Sequence, residues 1–125
     1  MSSNFELKKT PNTPAVIFKV DEGVLLIEGR SIPENPGDFY DPIMTKVKEY
    51  FKENDALKIS FKLEYINSGS SKYLLGILRV ISEAYKKGKK CQVQWFYEED
   101  DESVYELGEH YKSSFPFPIN LIETI

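Results

Sequence analysis

Three serine hydroxyls, an asparagine and a glycine are packed into Asn67-Ser68-Gly69-Ser70-Ser71, with Lys72 directly behind them. The segment lies between an alternating, strand-like run and an apolar helical pattern, so it falls at the start of a helix. Backbone N–H groups there lack intrahelical partners, and the helix dipole is positive. Three kinds of chemistry suit such a place: capping the helix, holding an anion, or presenting a hydroxyl to a kinase. A phosphoserine would add about −1.5 to −2 charges at pH 7. The helix end would stabilise that charge, and the charge would alter or block a docked partner surface. The spacing is not that of a phosphate-binding P-loop, because no G-x-x-x-x-G-K-[ST] pattern is present. Lys72 could pair with an anion, although a lysine in a first helical turn is commonplace.

Other reactive residue types are sparse. The acidic run Glu98-Glu99-Asp100-Asp101-Glu102 lacks the spacing of a calcium loop. Carboxylates are favoured at a helix start, so the run reads as a solvated helix entry or a charged docking rim rather than a metal site. His110 is the one histidine, and no pattern supplies it with a nucleophile or an orienting partner. Cys91 falls at an apolar register and reads as a buried, inert thiol. Alone it can form neither an internal disulfide nor a thiolate metal site. The loop from Gly29 to Pro36 combines two prolines and a glycine with Arg30, Glu34 and Asn35. It is either a binding loop or a rigid connection.

Periodicity supplies the elements that must position these residues. Residues 1–14 read as an irregular lead-in. Ala15 to Val20 and Val24 to Glu28 read as two strands joined by Asp21-Glu22-Gly23, an antiparallel hairpin. Phe39, Ile43, Val47, Tyr50 and Phe51 recur at helical spacing, predicting an amphipathic helix over Gly37 to Glu53. Leu57, Ile59, Phe61, Leu63 and Tyr65 alternate with Lys58, Ser60, Lys62 and Glu64. That period of two predicts a strand with one face buried and one in water. A second helix carries Leu74, Leu78, Ile81 and Tyr85, flanked by Leu75 and Ile77, and stops at Lys86-Lys87-Gly88, where glycine supplies a left-handed cap. Cys91, Val93, Trp95 and Tyr97 mark a fourth strand, Val104, Leu107 and Tyr111 a third helix, and Ile119 to Ile122 a last short strand. The order is β-β-α-β-α-β-α-β, with a parallel crossover between Leu57 and Tyr97. Because one face of the central strand is polar, the expected architecture is two-layer α/β, a mixed sheet of about five strands with helices mainly on one face.

The chain has 125 residues, which suits one domain over 1–125. Its net charge of −4 excludes a general affinity for nucleic acid or anionic membrane, both of which demand a basic surface. The first residues lack the order of a signal peptide, and no apolar run reaches membrane-spanning length, so a cytoplasmic protein without membrane insertion is expected. No cofactor is expected.

Taken together, several stretches resemble the bacterial SiaC family of regulatory phosphoproteins. They are Gly29-Arg30-Ser31-Ile32-Pro33-Glu34-Asn35, Phe39-Tyr40, Glu64-Tyr65-Ile66-Asn67-Ser68-Gly69-Ser70-Ser71-Lys72, and Trp95-Phe96-Tyr97 with its acidic follow-on. The resemblance runs in the same order over nearly the whole chain. It implies a fold related to anti-sigma-factor antagonist (STAS) domains, with a Ser or Thr phosphorylated at the start of a central helix. It implies three protein partners: a protein kinase, a PP2C-type phosphatase, and a diguanylate cyclase or similar effector. The unphosphorylated form would bind and activate the cyclase, linking the switch to cyclic-di-GMP and biofilm behaviour. The family's junction typically reads Tyr-x-Asn-Thr-Ser-Ser-x-Lys with Thr as acceptor, which by register is Ser68 here. Gly69 replaces the following Ser, and Ser70 is the second candidate acceptor. The resemblance places the partner-binding surface at Arg30, Pro33, Glu34, Asn35, Asn67, Gly69, Ser70, Ser71 and Lys72. Two rival readings stand beside this one: an enzyme using the same hydroxyl as a nucleophile, and a constitutive interaction or small-ligand module without a switch.

Overall fold

The computed structural model describes residues 4–124. Nine elements follow one another: β1 (Phe5–Leu7), β2 (Ala15–Lys19), β3 (Val24–Ser31), α1 (Pro36–Glu53), β4 (Ala56–Ile66), α2 (Ser68–Lys86), β5 (Lys90–Glu98), α3 (Glu102–Ser114) and β6 (Ile119–Thr124). The strands form one sheet in sequential order, β1-β2-β3-β4-β5-β6. β1, β2 and β3 pair antiparallel, and β3, β4, β5 and β6 pair parallel. The β2–β3 hairpin turns where Glu22 and Gly23 donate backbone hydrogen bonds to Lys19 and Val20. Each parallel neighbour is reached through one helix, the connection that parallel pairing requires.

One row across the sheet shows where the core lies. Phe18 pairs with Leu25, Leu25 with Ile59, and Ile59 with Val93, and all four are buried. Phe18 packs against Tyr50 of α1 at 5.4 Å between ring centroids. On that same face of β5, the Cys91 thiol approaches Ile81 O of α2, and Trp95 Nε1 donates to Val104 O of α3. All three helices therefore cover one face, as the polar face of β4 predicts. The next row, Ile17, Leu26, Ser60, Gln94 and Asn120, lies on the opposite, uncovered face.

The sheet has six strands rather than about five. The extra one, Phe5–Leu7, lies in the stretch read as an irregular lead-in and pairs with Val16 to Phe18. Three residues are too few to show a period. Residues 1–3 of that lead-in fall outside the described part. The stop of α2 matches its reading: Gly88 has φ 98°, and Gly88 N and Lys89 N donate to Tyr85 O and Ala84 O.

Tyr65 departs from the alternation. Gly29 pairs with Leu63, but Ser31 pairs with Ile66, so β4 spends one residue more than β3 over this stretch. That bulge shifts the phase of the strand. Tyr65 is 58% exposed, out of the row of buried residues to which its position assigns it. Tyr40 of α1, fully buried, takes a core place beside Ile43 and Val47, while Phe39 is half-buried.

Candidate functional site

The parallel strands β3, β4 and β5 end on one edge of the sheet, and α1, α2 and α3 begin there. Between β4 and α2 stands Asn67. Its side-chain oxygen accepts from Ser70 N at 2.8 Å, which makes Asn67 the N-cap of α2. Its side-chain amide donates to Pro33 O at 3.1 Å, and its backbone N–H donates to Ser31 O at 3.0 Å. One residue thus ties the helix start to the end of β3 and to the following loop.

Beneath it lies a buried chain of hydroxyls. Ser31 and Ser70 are both fully buried. The Ser31 hydroxyl donates to Ser70 Oγ at 2.9 Å, and Ser70 donates to Ser31 O at 3.1 Å. Ser31 Oγ also lies 2.5 Å from Tyr40 Oη. A hydroxyl has one proton. Ser31 and Ser70 have each committed theirs, so Tyr40 must donate to Ser31. Burial pushes the Tyr40 phenol up to about 12, in keeping with a group that holds its proton. Among the described residues, no buried side-chain nitrogen or oxygen lacks a hydrogen-bond partner.

The two candidate acceptors are therefore unlike. Ser68 is the first residue of α2 and is exposed, whereas Ser70 points inward with its hydroxyl engaged. Ser71 is half-buried; its hydroxyl donates to Ser68 O, and its own carbonyl accepts from Tyr111 Oη of α3. Gly69 lies against Pro36, the first residue of α1: a Cβ at position 69 would stand 2.8 Å from Pro36 Cγ. The starts of α1 and α2 are thus in contact, and Tyr40 stacks on Tyr73 between them at 6.2 Å.

The remaining residues of the expected partner surface divide in two. Arg30, Glu34, Asn35 and Lys72 are exposed, and Asn67, Gly69 and Ser71 are half-buried. Pro33 and Ser70 are buried and shape the surface from below. Arg30 lies 3.8 Å from the Glu64 carboxylate and 5.3 Å from the centre of the Tyr65 ring.

The other reactive groups take no part in this hydroxyl chain. His110 is exposed on α3, and its ring packs near Tyr111. Burial pushes the Cys91 thiol up to about 11. Asp101 caps α3, accepting from Val104 N and the Ser103 hydroxyl, and Glu102 is the first residue of the helix, while Glu98 ends β5. No group of three or more His, Cys, Asp or Glu is placed to hold a metal ion among the described residues. No helix among them is long and apolar enough to cross a membrane.

Sequence reasoning missed Ser31 and Tyr40 as parts of one device, although signals existed. Ser31 continues the buried alternation of Leu25 and Ile27, and Tyr40 precedes Ile43 and Val47 at helical spacing. The exposure of Tyr65 had no signal, because bulges leave none in the alternation itself.

Residues 7–124 match the model of the "SiaC family regulatory phosphoprotein" family. A protein of Pseudomonas aeruginosa strain UCBPP-PA14 is 30% identical over 120 residues, covering 94% of this chain and 95% of its own. The solved structure of SiaC of Pseudomonas aeruginosa superposes with a TM-score of 0.92 at 25% identity, covering 98% of this chain and all of the other. SiaC as seen in the crystal structure of the diguanylate cyclase SiaD in complex with its activator SiaC, from the same organism, gives 0.91 at 26% identity, covering 96% and 99%.

Proposed function

The chain belongs to the SiaC family of regulatory phosphoproteins, and from that premise we propose that it is a phosphorylation-switched binding protein with Ser68 as the acceptor. The observation that carries this reading is the contrast between the two serines. Ser68 is exposed at the first position of α2, while Ser70 is sealed in the Tyr40–Ser31–Ser70 chain. A kinase must reach the hydroxyl it modifies. A phosphate on Ser68 would meet the unpaired N–H groups and positive end of α2.

The partners are a serine kinase, a PP2C-type phosphatase and an effector of the diguanylate cyclase class, all met in the cytoplasm. The solved complex of a similar chain with a cyclase it activates supports the effector class. The chain itself works by binding a partner, a reading supported by its membership of a family of regulatory phosphoproteins. The unphosphorylated form binds the effector, and the phosphate changes the docked surface through charge and bulk.

Incubation of the full chain with its cognate serine kinase, followed by mass spectrometric mapping, is expected to place one phosphate on Ser68. A phosphate confined to Ser70, or none within Ser68 to Ser71, overturns the assignment. In a parallel pull-down, the phosphorylated chain is expected to retain less effector than Ser68→Ala. Equal retention would favour a constitutive interaction module.

A further inference from the structure

The uncovered face of the sheet carries a cleft of about 910 Å³ next to Asn67. It runs along the carboxyl-terminal halves of β3, β4 and β5 toward the start of α2. Two large hydrophobic residues are exposed among the described residues, Ile32 at 37% and Tyr65 at 58%, and both line this cleft. Phe96 lines it too, with the Lys62 ammonium 4.7 Å over its ring. A bulge in a strand lifts Tyr65 away from the core, and bulges next to sites commonly re-aim a side chain in this way. An exposed tyrosine on a rigid strand is a typical anchor of an interface.

The charge around these apolar groups is acidic in excess, although the Arg30 guanidinium sits 5.3 Å from the centre of the Tyr65 ring and pairs with Glu64. Glu28, Glu64, Glu98, Asp100 and Asp101 line the cleft, against Lys9 and Lys62. Glu28, Glu98 and Asp100 make no ion pair with another described residue. A nucleic acid or an anionic membrane would be repelled.

We infer that this cleft is the docking groove for a cationic segment of the effector protein, whose apolar side chains seat against Ile32, Tyr65 and Phe96 while flanking Lys or Arg residues meet Glu28, Glu98 and Asp100. The inference rests on the reading of the chain as an effector-binding regulator. It places the effector beside Ser68, so that a phosphate there stands at the rim of the occupied groove.

Short synthetic peptides test it. They share the same Leu and Tyr positions and differ in carrying Lys, Gln or Glu between them. Each is titrated by fluorescence anisotropy into the unphosphorylated full-length chain. The Lys peptide is expected to bind at least about tenfold more tightly than the Glu peptide, with Gln between, and to weaken with added salt. Tyr65→Ala, and separately the pair Glu98→Gln with Asp100→Asn, are each expected to weaken the Lys peptide about tenfold. Arg79→Ala, on the exposed side of α2, is expected to leave it unchanged. Absence of saturable Lys-peptide binding, equal affinity for all three peptides, or an unaffected Tyr65→Ala overturns the groove. No kinase is present, so this result stands apart from the mapping of Ser68. A chain that fails the mapping can still bind the Lys peptide, and the reverse.

Discussion

At the scale of single residues, Asn67 does more than a helix cap requires. Its oxygen satisfies Ser70 N, and its amide holds Pro33 O. Asn67→Ala removes both bonds and is expected to cost about 1–2 kcal/mol, read as a lower urea midpoint. Asn67→Asp keeps the acceptor for Ser70 N and loses the donor to Pro33 O, so it should fall between the two. If Asp proved as costly as Ala, the cap would not be the main contribution. Ser70 belongs to the same device: its hydroxyl is a structural bond between α2 and β3, which leaves the exposed Ser68 as the proposed acceptor.

At the scale of elements, α3 lies hard against β5 and β6 at Gly108. A Cβ on Gly108 would stand 2.4 Å from Trp95 Cδ1 and 2.9 Å from Leu121 Cδ2. Trp95 cannot yield easily, because it is buried, bonded to Val104 O and packed on Tyr111 at 5.5 Å. Gly108→Ala is therefore expected to destabilise the protein by about 1–3 kcal/mol despite alanine's better helix propensity. Gly76 offers the contrast: a Cβ there would meet the flexible tip of Met44. Gly76→Ala should be neutral or stabilising in the same denaturation experiment. Equal costs at both positions would show that helix packing on the sheet is looser than the distances indicate.

At the scale of the whole molecule, the buried proton-bearing groups share one direction. Tyr40 is raised from 10.0 to about 12 by burial, and Cys91 from 9.0 to about 11. Burial also raises Tyr50 and Tyr111. In each case the unfolded chain loses its proton first as pH rises. The stability these groups contribute is complete below their unfolded values and is lost as pH climbs through the folded ones. The urea midpoint is expected to fall from pH 9–10 upward, most steeply toward about 12. Tyr40→Phe should start lower, having lost its bond to Ser31, and should decline less steeply. A midpoint unchanged across this window would mean that these groups reach water in the folded state.

The sequence by itself determined the helices, five of the six strands and the side of the sheet that the helices cover. Those depend on local periods of two and 3.6, and a polar stripe in β4 is enough to leave one face uncovered. It also placed the hydroxyl cluster at a helix start, where strand pattern gives way to helix pattern. Tertiary structure alone decided which serine faces out, since Ser70 is turned inward by bonds to Ser31, a residue 39 positions away. It alone brought Pro36 against Gly69 and turned Tyr65 outward. A register shift between two strands depends on how their ends meet, and no period within either strand records it.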